Sequence, residues 1–550
     1  MNFIKKYWFL IVILILATFL RFWKLDIYPA LNADEAAIGY NAYSLIQTGM
    51  DEHGHSWPIH FQSFNDYKPG LYFYLVLPFV KLIGLNEWAV RIPGAFIGVL
   101  TVLAIYFLSL ELFNNKKIAT SAAFFLAISP WHIHFSRGGW EVNTATFLIT
   151  MGLLMFLRAI KRPNFWTFSL YLLPFILSLY TYHAARVVTP LMAMGLLVIY
   201  RKKIFIKQNI KLLIASGSIL VLLLIPLAHD LISSNALSRV AGVGLFADPG
   251  PINRINEQRG EHGDINSIGS KLIHNKVVNY GLAFLENWIS HYHGLFLFVS
   301  GDVIQRNAVP ETGEMYLFDI VFVLFGLVII IKKFAEFPNS YSLLILWLLV
   351  APVASALTFQ SPNALRAQNM VIPLIILSSI GFVGLLDLIK TFNSNKLITI
   401  TYLLGIAIVG WQFARYEHMY SVHMAKEYPF SSQYGVKELV EYLDNNNSKY
   451  QKVYVTDKYD QPYILFLFYK KYPPQLFQKE GILTPRDNFG FSTVRDFSNY
   501  HFEILDFKKV LEQHSNVLIA ASPDEVPKGV NIIKKIYGSN GYEYFDIISN

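Results

Sequence analysis

Along the first 415 residues, uncharged or nearly uncharged runs of about 15 to 20 residues alternate with short basic or polar stretches. A bilayer core roughly 30 Å thick takes about 20 helical residues, so each such run predicts a transmembrane helix. The runs fall at 7–20, 92–113, 118–135, 144–160, 165–180, 187–200, 212–228, 317–331, 343–358, 370–389 and 397–413. That predicts about eleven spans. A further apolar segment, 71–85, holds Pro78 and Lys81 and is short for a span. It reads as a helix lying in the membrane interface.

From Tyr416 the pattern changes. The stretch 433–446 has apolar residues at helical spacing, while 452–457 and 516–522 read as strands. The stretch 532–548 reads as strand, turn, strand, with Asn540-Gly541 as the turn. The expected fold is a polytopic α-helical membrane protein, with a membrane domain over 1–415 and a small soluble α/β domain over 416–550.

Charge sets the expected topology. Basic clusters at Lys5-Lys6, Lys116-Lys117, Lys161-Arg162, Arg201-Lys202-Lys203, Lys332-Lys333 and Lys390 with Lys396 belong on the cytoplasmic side by the positive-inside rule. Loops 21–91, 136–143, 181–186, 229–316 and 359–369, and the C-terminal domain, then face outward. The first apolar run is followed by Arg21, Trp23 and Lys24 with no small-residue cleavage site, so it reads as a membrane helix and not as a removed signal peptide.

The chain is 54% hydrophobic and 15% charged, against about 25% charged residues in soluble domains. Its net charge of +8 comes from residues flanking apolar runs, which argues against a nucleic-acid surface. There is no cysteine, which excludes disulfides, thiol catalysis and cysteine-ligated metal.

The outer loops carry the candidate chemistry. In LNADEAAIGYNAY (31–43), Asp34 and Glu35 are adjacent and Tyr40 follows. One reading is a helix start, with Asn32 or Asp34 as N-cap and Glu35 in the first turn. The other is a general base held near the bilayer surface. Neighbours on a helix point about 100° apart, so the two carboxylates would do different jobs. In NDYKPGLYFY (65–74), Lys68 precedes Pro69 and is expected in extended backbone. It is either a snorkelling lysine or a cation for a lipid-linked phosphate. Asp66 would orient Lys68 or join Asp34 at a divalent metal, the one candidate cofactor. Arg137 closes SPWHIHFSR, and YTYHAAR (180–186) supplies Tyr182, His183 and Arg186. These arginines suit either an interfacial belt or phosphate recognition. His291, Asp302 and Arg366 stand in the later outer loops, and the Gly- and Asn-rich segment 242–270 reads as a cover or a plain connector.

The order DEA, DYKPGLYFYL, NEWAVRIPGAFIGVL, SPWHIHFSR, YTYHAAR resembles the bacterial branch of glycosyltransferase family 39. That branch is similar to protein O-mannosyltransferases and to aminoarabinose transferases that modify lipid A, enzymes of the GT-C fold. The resemblance extends through FLENWISHYHGLFLFVSGD and SPNALRAQNMVIPL and covers most of 7–415. Gly70 stands where many relatives have a second proline and is expected to loosen the start of the next helix. The resemblance implies a polyprenyl-phosphate-sugar donor, a protein, glycolipid or glycan acceptor, and inverting transfer at the outer face of the plasma membrane. It implies catalysis by Asp34 and Glu35, and phosphate binding by Lys68, Arg137, Arg186 and Arg366. Sugar or acceptor contacts fall to Tyr40, Tyr182, His183, His291 and Asp302. All are expected to converge on one outer pocket at the lipid boundary. A transporter or flippase of lipid-linked sugars is the alternative, though transporters place ionisable groups at mid-membrane and here they lie at the span ends. A surface-polysaccharide polymerase or ligase is a third reading.

Overall fold

The computed structural model describes all residues except 1, 234–241, 243, 264, 392–393, 429–430, 432, 488–489, 514–515, 539–540 and 550. Six helices among the described residues are long and apolar enough to cross a membrane: Glu87–Phe113, Glu141–Lys161, Ile210–Ile232, Pro338–Ala356, Gln368–Ile389 and Asn395–Glu427. A seventh forms if Lys116–Ile128 and Pro130–Arg137, bent by 56° at their junction, count as one. The first expected span lies in the 21-residue helix Asn2–Phe22, and the remaining ones fall in shorter pieces. Phe165–Leu170 and Leu172–Leu179 are separate helices because Pro174 lacks the N–H that would bond Leu170 and its ring crowds that carbonyl. Leu317–Lys333 has 17 residues. Among the described residues the count of eleven therefore compares with these six or seven helices and Asn2–Phe22 at full length.

The chain divides into two compact units. The first comprises Met1–Leu20, Ile97–Phe135 and Glu141–Tyr416. In it, Leu317–Lys333 packs along Val371–Ile389, Glu141–Lys161 along Leu172–Leu179, and Ala185–Ile199 along Pro338–Val350.

The second unit comprises Arg21–Phe96, Ser136–Trp140 and Glu417–Asn550. Its edge at Glu417 falls beside the expected boundary at 416, but the unit also takes in the first loop. One core explains this. Tyr40, Phe61, Tyr72, Phe73 and Val76 of the loop are buried together with Leu439, Val453, Phe466, Phe468, Phe477 and Phe497 of the C-terminal part. The helix Ala33–Thr48 packs on Leu71–Ile83 and on Pro462–Lys470. Gly39 permits the second approach: a Cβ there would lie 2.6 Å from Phe468 Cε2 and 2.8 Å from Val90 Cγ2.

The C-terminal strands at 452–455, 517–521, 532–537 and 543–549 appear where the pattern predicts, and two short ones at 496–497 and 500–502 were not expected. With β1 (His60–Ser63) and β2 (Asp66–Pro69) forming a hairpin in the first loop, they are β3 (Lys452–Val455), β4 (Asp496–Phe497), β5 (Tyr500–Phe502), β6 (Val517–Ala521), β7 (Ile532–Tyr537) and β8 (Glu543–Ser549). They form one mixed sheet in the order β4-β5-β3-β6-β8-β7, with β3 parallel to β5 and β6. Alternation along β3 separates its faces: Val453 and Val455 join the shared core, and Tyr454 joins a smaller cluster with Phe507, Val510 and Ile519. Asn540 of the expected turn lies outside the described residues.

The helix Leu71–Ile83 has 13 residues, about 20 Å of rise, which is too short to span. It buries Tyr72, Phe73, Val76 and Val80 on one face. Its start is not loosened by Gly70. That residue's N–H donates to the Ile59 carbonyl at 2.9 Å, and a Cβ there would lie 2.7 Å from the same oxygen. The glycine is required by close packing against the hairpin.

Candidate active site

Asp34, Glu35, Tyr40, Asp66, Lys68 and Arg137 lie in the second unit, and Tyr182, His183, Arg186, His291, Asp302 and Arg366 in the first.

In the second unit, Asn32 is the N-cap of Ala33–Thr48. Its side chain accepts from the Glu35 N–H at 3.0 Å, and the Glu35 carboxylate accepts from the Asn32 N–H at 3.3 Å. This is a complete capping box, so the helix-start reading is correct for Glu35. Glu35 does more. Arg91 donates to it through Nε and Nη2, both at 2.7 Å, and the Gly139 N–H donates at 2.8 Å. Arg91 Nη1 also donates to the carbonyls of Leu25 and Pro29, each at 2.8 Å. Glu35 and Arg91 are both buried. Their bidentate pair ties three chain segments together at the start of the helix.

Asp34 takes the other direction, as the helical geometry predicts. It lies in the first turn of the helix, where backbone N–H groups favour negative charge. Lys68 Nζ donates to Asp34 Oδ1 at 2.5 Å. The Asp34 side chain is 26% exposed and that of Lys68 8%. The lysine comes from β2, so the extended backbone expected before Pro69 is present. Phe64 and Asn65 connect β1 to β2 with φ of 57° and 60°, the paired positive values that a two-residue type I′ turn needs. Such values cost a phenylalanine energy. The C-terminal part offsets this: the Ser492 N–H donates to Phe64 O at 2.9 Å, and Asn65 Nδ2 to Ser492 Oγ at 3.1 Å. The Lys68 ammonium also sits 5.1 Å from the Phe64 ring centroid, in cation–π range.

Arg137 is buried, and its Nη2 donates to the carbonyls of Trp23, Lys24 and Tyr28, with Nε donating to Tyr420 Oη at 3.3 Å. It organises the 23–28 turn. The Tyr40 hydroxyl donates to Tyr472 O at 3.0 Å from a buried position, which makes it a packing group. Asp66 accepts from the Tyr67 N–H at 3.0 Å. Among the described residues no group of three or more His, Asp or Glu side chains is placed to hold a metal ion. Asp34, one of the two residues expected at a metal, has the Lys68 ammonium on its Oδ1.

In the first unit, Arg186 Nε donates to Leu179 O at 3.1 Å and its Nη1 lies 3.3 Å from His183 Nδ1. Tyr182 is buried beside His183. His291 and Asp302 hold the loop that carries Arg366. The Asn363 N–H donates to His291 Nε2 at 3.2 Å, so His291 Nδ1 carries the proton donated to Asn287 O at 2.8 Å. Burial lowers the His291 pKa to about 4, keeping it neutral. Asp302 accepts from the N–H groups of Ala364 at 2.7 Å and Ile304 at 2.9 Å and from Asn307 Nδ2 at 3.0 Å. Burial raises its pKa and that of nearby Glu314. Arg366 reaches Thr358 Oγ1 at 2.9 Å and Gln360 O at 3.2 Å. In the segment 242–270 the helix Gly250–Gly260 forms, and the Leu245 N–H donates to Leu357 O at 2.8 Å.

Sequence reasoning missed Arg91 and the hairpin. The signal for Arg91 is a lone arginine entering an apolar run, which needs a buried acid. Of the two central turn residues only Asn65 is of a turn-favouring type, and Phe64 gives no local signal.

The chain has the fold of multi-pass membrane proteins of the GT-C type. The family model described as dolichyl-phosphate-mannose-protein mannosyltransferase matches residues 67–229. ArnT from Cupriavidus metallidurans, solved bound to undecaprenyl phosphate, superposes with a TM-score of 0.54 at 11% identity, over 98% of this chain and 98% of that one. The apo Archaeoglobus fulgidus oligosaccharyltransferase gives 0.51 at 14% identity over 85% of this chain, which spans 64% of the archaeal chain's length. The oligosaccharyltransferase AglB of the same organism, in complex with an inhibitory peptide and a dolichol-phosphate, gives 0.50 at 12% identity, over 84% of this chain and 64% of that one. No curated protein sequence matches.

Proposed function

We propose that this protein moves a sugar from a polyprenyl-phosphate-linked donor to a hydroxyl of a protein, glycolipid or glycan, with inversion and with Asp34 as general base. The observation that carries the reading is the Asp34–Lys68 ion pair at a helix start. It sets a carboxylate and a cation side by side, as the two halves of the reaction require. The Asp34 carboxylate takes the acceptor O–H proton while that oxygen bonds the sugar C1. The C1–O bond to the lipid phosphate breaks from the opposite side, through an oxocarbenium-like transition state. The leaving phosphate gains negative charge, which the Lys68 ammonium stabilises. The undecaprenyl phosphate bound to ArnT and the dolichol-phosphate bound to AglB support a lipid-linked donor.

Glu35, locked by Arg91, is assigned to positioning Asp34. Arg137 serves the 23–28 turn. Arg186, in the first turn of the helix Ala185–Ile199, and Arg366 are candidate phosphate cations within the first unit by themselves, with Tyr182 and His183 beside Arg186. The site faces outward across the plasma membrane, because the basic clusters that flank the spans belong inside.

Membranes containing the protein, given radiolabelled polyprenyl-phosphate sugar, test this. Label should move to acceptor with the wild type and stay on lipid with Asp34→Asn. Donor crossing the bilayer without transfer would establish a flippase instead. Cysteines at Asn65 and after Tyr416 should be labelled from outside in whole cells; labelling only after lysis contradicts the orientation.

A further inference from the structure

The segment 242–270 reads from its composition as a cover or a connector, and the transfer chemistry gives it no work. In the first unit it forms the helix Gly250–Gly260, which packs along the helix Lys276–Ser290. Two histidines flank the chain between these helices. His262 stands two residues past the end of the first, and His274 closes the short helix Ile268–Ile273, two residues before Lys276. Their Nε2 atoms are 3.1 Å apart, and the ring planes cross at 62°. Both residues are half-buried, within reach of an ion from solution.

His274 is held in place by the last turns of the helix Gly250–Gly260. Its Nδ1 lies 3.0 Å from Gln258 Oε1, and Arg259 Nε donates to its carbonyl at 2.7 Å. An amide oxygen only accepts, so His274 Nδ1 carries the proton and Nε2 presents a lone pair to His262. A metal-ligating histidine is set up in the same way: its second ring nitrogen donates to an oxygen that fixes tautomer and ring orientation. The spacing agrees. Two nitrogens, each about 2.0–2.1 Å from a zinc ion, lie about 3.1–3.4 Å apart at near-tetrahedral angles.

We propose that His262 and His274 bind a divalent cation of the zinc class through their Nε2 atoms, with water at the remaining positions. Among the described residues no third His, Asp or Glu joins them, so the ion exchanges with solution. In the metal-free protein His262 Nε2 donates the one proton between the rings. Zinc takes that place and the proton moves to His262 Nδ1, so the neutral pair releases no net proton. The bound ion ties the end of one helix to the start of the next and closes the loop between them. It draws on none of the residues assigned to sugar transfer.

Two measurements on the purified, untagged full chain test it, after chelator treatment and in mildly alkaline buffer, where imidazole is neutral. In calorimetric titration with zinc chloride, the wild type should show a site that the variants weaken. Gln258→Ala, which keeps both ligands, should lower its affinity about 10- to 100-fold, and His262→Gln or His274→Gln at least as much. Equal binding by the wild type and His262→Gln overturns the site, and unchanged affinity in Gln258→Ala overturns the orienting contact on which it rests. X-ray absorption of the wild type with one equivalent of zinc needs no variant. It should show two imidazole nitrogens at about 2.0–2.1 Å together with oxygen ligands. One imidazole, or none, overturns the proposal. Neither readout uses sugar transfer.

Discussion

Asp34 and Lys68, 34 residues apart in the chain, meet with 2.5 Å between Oδ1 and Nζ. Two local devices make the meeting possible. The Asn32–Glu35 capping box fixes where the helix begins, and so where Asp34 points. The Phe64–Asn65 turn fixes the register of β2, and so which residue faces the helix.

Lys68→Ala removes the partner of the proposed base, Asp34, and the cation proposed for phosphate. Donor KM should rise about tenfold or more, the cost of losing one charge-assisted contact, while the melting temperature moves little. Steady-state kinetics on purified protein checks this, and an unchanged donor KM removes Lys68 from phosphate binding.

Glu35 and Arg91 form a buried pair, so cutting either side leaves an uncompensated charge. Glu35→Ala should cost about 3–5 kcal/mol of stability. The double variant Glu35→Ala/Arg91→Met should cost less than the sum of the two single changes. Denaturation of all four proteins in detergent gives the cycle, and strict additivity would deny the pair its role.

Gly39→Ala places a methyl against Phe468 and Val90. The expected loss is about 1–3 kcal/mol, as for other overpacked cores. Adding Phe468→Leu should recover part of it, and a double variant no better than Gly39→Ala alone would reject this packing.

His291 is buried neutral, with its pKa lowered to about 4. Its unfolded value is near 6.5, so between those values the unfolded chain binds more protons. Its stability contribution is therefore full above pH 6.5 and is lost as pH falls toward 4. The wild type should lose on the order of 3 kcal/mol relative to His291→Asn over that window. Parallel pH–stability curves for the two proteins would contradict the neutral assignment.

The local geometry around Asp34 and Lys68 was legible in the sequence, for physical reasons. Pro69 forces extended backbone on Lys68, and the 100° step of a helix sends Asp34 and Glu35 to different partners. The strands β3, β6, β7 and β8 follow from short β-rich runs. Long-range packing was not legible. Nothing local to 416–550 says that its core is completed by Phe61, Tyr72 and Phe73. Nor does hydropathy show that Arg137 is consumed by main-chain carbonyls. An arginine beside aromatics reads alike whether its guanidinium meets phosphate or a turn. The short helices are a third case, because Pro174 breaks a run that composition alone reads as continuous.

The most direct measurement is single-turnover sugar transfer by purified Asp34→Asn preloaded with labelled polyprenyl-phosphate sugar. The account predicts donor binding within about twofold of wild type and a transfer rate lower by a factor of roughly 10² to 10⁴, the usual weight of a general base. Wild-type transfer by Asp34→Asn, or a loss confined to donor binding, would contradict it.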